Sequence, residues 1–300
     1  MDDWFPAPPK ACRASQAPFV SMGLPKLMPR RRWLITAGAW LLSTLPALSV
    51  RASERLTLTG SSTVAPLALE IAKRFEKLNP GVRIDVQTGG SSRGIADARS
   101  GIAQIGLVSR ALKPDEADLV AHSIALDGIG LIVHRSNPVV TLSDAQVRAL
   151  YTGATTQWRE VGGPALKVSV VNKAEGRSTL ELFLAHFKLK NSDIRAQAVI
   201  GDNQQGIKTV SANPGAVGYV SIGAAASEVA LGTPIRLLPM SGVAATVDEV
   251  RRGRFPLSRP LNLVTRGELA PLAQRFIDYA RSPAVHDLVE AQAFVTLAPT

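Results

Sequence analysis

Three short stretches carry the residues best suited to chemistry: Gly60-Ser61-Ser62-Thr63, Gly89-Gly90-Ser91-Ser92-Arg93-Gly94 and Glu175-Gly176-Arg177-Ser178-Thr179. Each follows a β-like run or a loop and precedes a helix-like pattern. The first turn of a helix leaves backbone N–H groups without partners and carries partial positive charge. Ser and Thr add hydroxyl donors, and Gly lets an anion approach the backbone closely. One such turn is ordinary capping. Three in one chain predict a single anion held from several sides.

A catalytic reading competes for the second stretch. Gly90-Ser91-Ser92-Arg93-Gly94 fits G-x-S-x-G, the nucleophile elbow of a serine hydrolase, with Ser92 as nucleophile and His286 as the base. Only about two β-like runs precede it, too few for a hydrolase sheet, and no HGGG-like oxyanion loop does, so the expectation is a binding protein and not an enzyme. His122, His134, His186 and His286 share no metal-ligand spacing, and no metal or other cofactor is expected.

The elements that must position these turns alternate. Leu56–Thr59 reads as a strand, and Val64, Leu67, Ala68, Ile71, Ala72, Phe75 and Leu78 fall on one helical face that Asn79-Pro80-Gly81 ends. Val82–Val86, Ile105–Val108 and Ile124–Val133 are β-like, with a short helix over Gly94–Ser100. This order predicts right-handed crossovers and a parallel sheet. Beyond Asn137-Pro138 come a helix from Ser143 to Tyr151, a strand at Lys167–Val171, a helix through Leu180, Phe183, Leu184 and Phe187, and a helix at Ile207–Ser211. Strands at Ala216–Ser221, Ile235–Leu238 and Leu261–Val264, a helix at Val247–Arg252 and two final helices complete the pattern. Two sheets are expected, with crossings near His134–Pro138 and Gly223–Gly232. Trp158, the one tryptophan after residue 52, is expected to be a packing residue.

Residues 1–52 read as an N-terminal extension and export signal. Arg30-Arg31-Arg32 precedes an uncharged run from Trp33 to Val50, then Val50-Arg51-Ala52, a small-x-Ala cleavage pattern. Arg30 to Leu34 resembles a twin-arginine signal. A retained membrane anchor is the alternative. Met22 or Met28 is a candidate true start. The whole chain has 34 basic and 24 acidic side chains, a net charge of +10; without the seven basic and two acidic residues of this segment, 27 and 22 remain, a net charge of +5. That removes most of the support for a nucleic-acid partner. The only cysteine, Cys12, leaves with the segment, and with it any disulfide or thiolate metal site. A periplasmic, freely diffusing monomer is expected.

The ordered pieces resemble a known family. Thr59-Gly60-Ser61-Ser62-Thr63-Val64-Ala65-Pro66, Gly90-Ser91-Ser92-Arg93-Gly94, Ser109-Arg110-Ala111-Leu112-Lys113, Leu150-Tyr151-Thr152-Gly153, Trp158 to Gly163, Asn172 to Gly176 and Asn213 to Tyr219 are similar in order and spacing to the PstS-like periplasmic phosphate-binding proteins of ABC importers. The resemblance covers about residues 56–297. It implies an α/β fold of the periplasmic-binding-protein type II kind: two lobes, a two-strand hinge and a ligand cleft between them. The implied lobes are 53–134 with 227–300, and 135–226. The resemblance makes Ser62, Thr63, Ser91, Ser92, Ser109 and Arg110 the first lobe's ligand-binding residues, and Lys173, Arg177, Ser178 and Thr179 those of the second. It implies an oxyanion ligand, phosphate in the family, and a membrane permease as partner. Arg110 stands where the family has Asp, Lys173 where it has Arg, and Arg177 where it has a small Ser. An ionised carboxylate only accepts hydrogen bonds and so rewards an anion that keeps an O–H; Arg110 offers donors alone. Phosphate, a phosphorylated small molecule and another tetrahedral oxyanion therefore all stay open, as does an oxyanion-sensing or scaffolding envelope protein without a transport role.

Overall fold

A computed structural model describes residues 54–298. In chain order they form β1 (Glu54–Gly60), α1 (Ala65–Leu78), β2 (Val82–Thr88), α2 (Ser91–Ser100), β3 (Ile105–Val108), β4 (Leu119–His134), α3 (Asp144–Thr152), β5 (Ser169–Lys173), α4 (Ser178–Phe187), β6 (Ala198–Ile200), α5 (Asn203–Ser211), β7 (Ala216–Ser221), α6 (Ile222–Ala230), β8 (Ile235–Leu238), α7 (Val247–Arg251), β9 (Ser258–Arg266), α8 (Pro271–Ala280) and α9 (His286–Ala291). The strands follow the order β2-β1-β3-β9-β4-β7-β5-β6, with β8 also on β4. The export signal expected within residues 1–52, the start codons and any anchor lie outside the described residues. No described helix is long and apolar enough to cross a membrane.

Two lobes arise because β4 serves both sheets. Its first part, from Leu119 to Gly128, pairs antiparallel with β9. Its second part, from Ile129 to His134, pairs with β7 and β8. The parallel β1–β2 and β1–β3 pairs come from strand-helix-strand crossovers, as the alternating pattern predicts. In the first lobe α1, α8 and α9 cover one sheet face around Leu67, Ile71, Phe75 and Phe276; on the other, Ile95 of α2 meets Val108 and Val264. In the second lobe Tyr151, Trp158, Phe183, Phe187 and Tyr219 fill one face, and Ile207, Val210 and Ala225 the other. Trp158 is fully buried and donates from Nε1 to the Gly215 carbonyl at 2.8 Å, a packing role as expected.

The lobe boundaries differ from those expected. Residues 227–257 do not join the first lobe: β8 pairs with β4 beside β7, and Met240, Ala245, Val250 and Phe255 are buried in the second lobe's core. The expected crossing at Gly223–Gly232 falls largely within α6, whose N-cap Ser221 accepts from Ala224 N. Its run of small residues carries little apolar periodicity, so the helix is hard to read from pattern. The crossing strands are β4 and β9, where Ile129 N donates to Leu257 O at 3.0 Å. The first lobe is thus residues 54–128 with 258–298, and the second is 129–257.

Candidate functional site

The three Gly-Ser-Thr stretches begin α1, α2 and α4. None of these helices has a side chain capping its N-terminus. Their starts surround one small cavity lined by Ser61, Ser62, Thr63, Gly90, Ser91, Ser109, Arg177, Ser178 and Thr179. The first six come from the first lobe and the last three from the second. Glycine makes the approach possible. Gly94 would place a Cβ 2.7 Å from Leu107 O and 2.8 Å from Thr59 O, so only its bare Cα lets α2 lie against β1 and β3. Gly90 has φ +97°, and a Cβ there would lie 2.6 Å from Gly176 O of the other lobe.

Beneath the hydroxyls lies an ion pair that sequence reasoning missed. Arg259 of β9 and Asp127 of β4 face each other in register, with Nη2 to Oδ2 at 2.9 Å and both side chains 1% exposed. Asp127 also accepts from Gly223 N at 3.3 Å. Arg259 then reaches both lobes. Nη1 donates to Thr179 Oγ1 at 2.9 Å and Ser109 Oγ at 3.3 Å, and Nη2 to Thr63 Oγ1 at 3.3 Å. The sequence signal was Asp127, the one acidic or basic side chain of β4 apart from its histidines, and Arg259 near the start of β9, whose other charge, Arg266, ends the strand.

Counting lone pairs assigns the hydroxyl protons. A hydroxyl has one proton and two acceptor sites. Ser61 Oγ accepts from Thr63 N and Val64 N and donates to Ser109 Oγ at 2.9 Å. Ser109 Oγ therefore accepts from Ser61 and Arg259 and gives its own proton to Ser178 Oγ, 2.6 Å away. Ser91 Oγ accepts from Ser109 N and donates to Ser178 Oγ at 3.1 Å. Ser178 Oγ, now with two donors, keeps its proton free. Thr63 Oγ1 is in the same condition, receiving Asn203 Nδ2 at 3.1 Å and Arg259 Nη2. The wiring thus turns Ser178 and Thr63 into donors toward the cavity. Arg177 is the one charged side chain of the lining, and its buried Nε has no hydrogen-bond partner.

Of the residues singled out from sequence, Ser62, Thr63, Ser91, Ser109, Arg177, Ser178 and Thr179 meet at the cavity. Lys173 stands one layer behind. Its Nζ donates to Asp202 O at 2.7 Å and Asn203 Oδ1 at 3.2 Å, so it fixes the amide that reaches Thr63. Burial, with the charges of Arg259 and Arg177 adding and Asp202 opposing, pushes its ammonium down to about 7. Ser92 and Arg110 lie outside the lining. Ser92 Oγ donates to Glu181 Oε1 at 3.3 Å, and no histidine hydrogen-bonds to it among the described residues. His286 lines a different cavity, with Ser123 and Arg281.

Arg110 is not a free cation in the cleft. Its guanidinium forks onto Glu116 at 2.7 and 2.8 Å, with Nε 3.2 Å from Glu181 Oε2. Burial alone would raise the Glu116 carboxyl; the Arg110 fork together with the Lys113 N–H and ammonium holds it below its ordinary value. Glu181 belongs to α4 of the second lobe, so with Lys113 Nζ at 2.7 Å this cluster ties the lobes together at the rim. Clusters of His, Cys, Asp or Glu able to hold a metal are absent among the described residues.

Comparison with known proteins places this arrangement. The model of the PBP superfamily domain matches residues 47–284. The phosphate-binding protein PstS of Bacillus subtilis (strain 168) is 29% identical over 251 residues, spanning 82% of this chain and 81% of that protein. A protein from Clostridium perfringens assigned as a phosphate ABC transporter substrate-binding protein, with bound phosphate, is 30% identical with a TM-score of 0.75, over 82% of this chain and 100% of that one. An ABC-type phosphate transport receptor from Vibrio cholerae is 27% identical with a TM-score of 0.68, over 81% and 100%.

Two outcomes test the geometry. Asp127→Asn leaves the Arg259 charge buried without a counterion, and the unfolding free energy in urea should fall by about 3–5 kcal/mol. The Asp127→Leu/Arg259→Met double variant should recover most of that loss. Gly90→Ala should lower the affinity for a small oxyanion by about tenfold, ~1.4 kcal/mol in calorimetric titration, because its Cβ would lie 2.6 Å from Gly176 O of the other lobe and push the two sides of the cavity apart.

Proposed function

The chain belongs to the PBP superfamily, and on that footing we propose that it is an extracytoplasmic solute-binding protein that captures an oxyanion, inorganic phosphate, and delivers it to the membrane permease of an ABC importer. One observation carries the reading: hydroxyls from both lobes converge on one cavity, and a single buried arginine engages three of them. The relatives compared above supply the name of the ion and the transport role. Export by a signal within residues 30–52 supplies the periplasmic location, and the protein works as a monomer.

Capture proceeds by lobe rotation about β4 and β9. The anion first meets the helix starts of one lobe; α4 then brings Arg177, Ser178 and Thr179 onto it. Each charge-assisted hydrogen bond contributes about 1.5–3 kcal/mol before desolvation is subtracted. Several together offset the loss of the anion's water, which one alone does not. The ligand favours the closed form only as far as it binds that form better. Release and transfer need no bond made or broken on the ligand. Ser92, tied to Glu181, has no part in the capture.

Thr63→Val and Ser178→Ala each remove a hydroxyl whose proton is free for the ligand. Each should raise the phosphate Kd by about tenfold or more, corresponding to the ~1.5–3 kcal/mol of a hydrogen bond to a charged group, while the protein stays folded with a cooperative thermal transition at a somewhat lower temperature. Loss of affinity only through loss of folding would contradict the assignment.

Lys173 sets a pH dependence. With its pKa lowered to about 7, it is largely neutral in the free protein above that pH. A bound dianion nearby favours the ammonium, so phosphate binding at about pH 8.5 should draw in a proton. Titrations in buffers of different ionisation enthalpy should give different heats, and Lys173→Met should remove the difference. For the free protein the sign also follows. Between about 7 and the unfolded value near ~10.4 the unfolded chain holds the extra proton, so this group makes stability rise with pH across that window and adds no slope below it.

A further inference from the structure

A second cavity of about 440 Å³ adjoins the anion site, and Ser62 and Thr63 line both. It lies between the lobes. Pro66 and Leu69 of α1 with Val86 of β2 form one wall, and Ala224 of α6 with Phe294 forms another. Asp202 is the only charged residue of this lining, so the cavity adds no cation for a second anionic group. Its size suits a small organic moiety.

The proton wiring says which ligand oxygen can face it. Ser178 and Thr63 have both acceptor sites filled and can only donate. Arg177 offers donors alone. No carboxylate lines the anion cavity. A ligand oxygen that bears a proton finds no carboxylate there, only the remaining acceptor sites of neutral hydroxyls such as Ser62, Ser91 and Thr179, whereas three bare oxygens of a tetrahedral anion meet the committed donors of Ser178, Thr63 and Arg177. The fourth oxygen is the one best turned toward the neighbouring cavity, which shares Ser62 and Thr63 with the site. In the phosphate dianion that oxygen carries a proton. In a phosphate monoester dianion it carries carbon instead.

Resting on the capture reading above, we infer that the site also takes small phosphate monoesters, with the three terminal oxygens on the hydroxyl cluster and the uncharged organic group in the cavity between α1 and α6. The donor set then selects a dianionic phosphoryl group, and the side cavity limits the size and charge of what it carries. The Thr63–Asn203 hydrogen bond lies where the two spaces meet. It is the contact that an ester oxygen would pass.

The test is calorimetric titration of the full chain with inorganic phosphate, phenyl phosphate and phenol. Phenyl phosphate should bind with a Kd within tenfold of that for phosphate and compete with it one for one, while phenol should not bind. Leu69→Trp and Ser227→Trp fill the side cavity from opposite lobes without touching the hydroxyls. Each should raise the phenyl phosphate Kd tenfold or more and the phosphate Kd less than twofold. Binding of phosphate without phenyl phosphate would overturn the ester inference and leave phosphate capture standing. Equal losses for both ligands in both Trp variants would also overturn it. Failure of the wild-type chain to bind either anion would overturn the capture reading together with it.

Discussion

The structure hangs on a buried ion pair at the one place where both sheets share a strand. Taking Asp127 and Arg259 out of water is costly, and their mutual attraction offsets that only with good geometry and further partners. Here the partners are the hydroxyls themselves: Arg259 engages Asp127, Ser109, Thr179 and Thr63. A charge that would otherwise weaken the core becomes the fixed point from which donors of two lobes are aimed. Because β4 and β9 also carry the crossing between lobes, the cation sits where the two lobes join.

Two further layers build on that point. Behind the hydroxyls, Lys173 holds Asn203, which holds Thr63. At the rim, Glu181 gathers Ser92, Arg110 and Lys113 across the gap between lobes. Helix starts add partial positive charge from three directions, a favourable field that needs no ionised side chain in the lining beyond Arg177. The result is a site strong in donors, with its formal charges mostly placed where water does not reach them.

Most of the site was legible because its chemistry is local. Ser62, Thr63, Ser91, Ser178 and Thr179 sit at helix starts, and helix starts follow from short-range pattern. Ser92 shows the limit of that logic: its neighbour Ser91 faces the cavity, and a one-residue step around α2 turns Ser92 toward Glu181. The surroundings of Arg110 and Lys173 were not legible, since Glu116 lies on a short turn and Asp202 and Asn203 lie at the start of α5, which no local pattern places beside them. Arg259 and Asp127 are 132 positions apart and meet only through the antiparallel register of β4 and β9. The same non-local pairing placed residues 227–257 with the second lobe, because β8 follows a helix whose small residues gave no periodic signal.

The division of the chain has a consequence for biogenesis. The second lobe is one uninterrupted insert, so its core, Val295 apart, has been synthesised before β9 emerges. The first lobe is split, and its sheet stays open until β9 fits between β3 and β4. Lobes of this kind fold as units, earlier segments first. Arg259 arrives with that last strand, so of the residues that grip the ion it is the last to be synthesised.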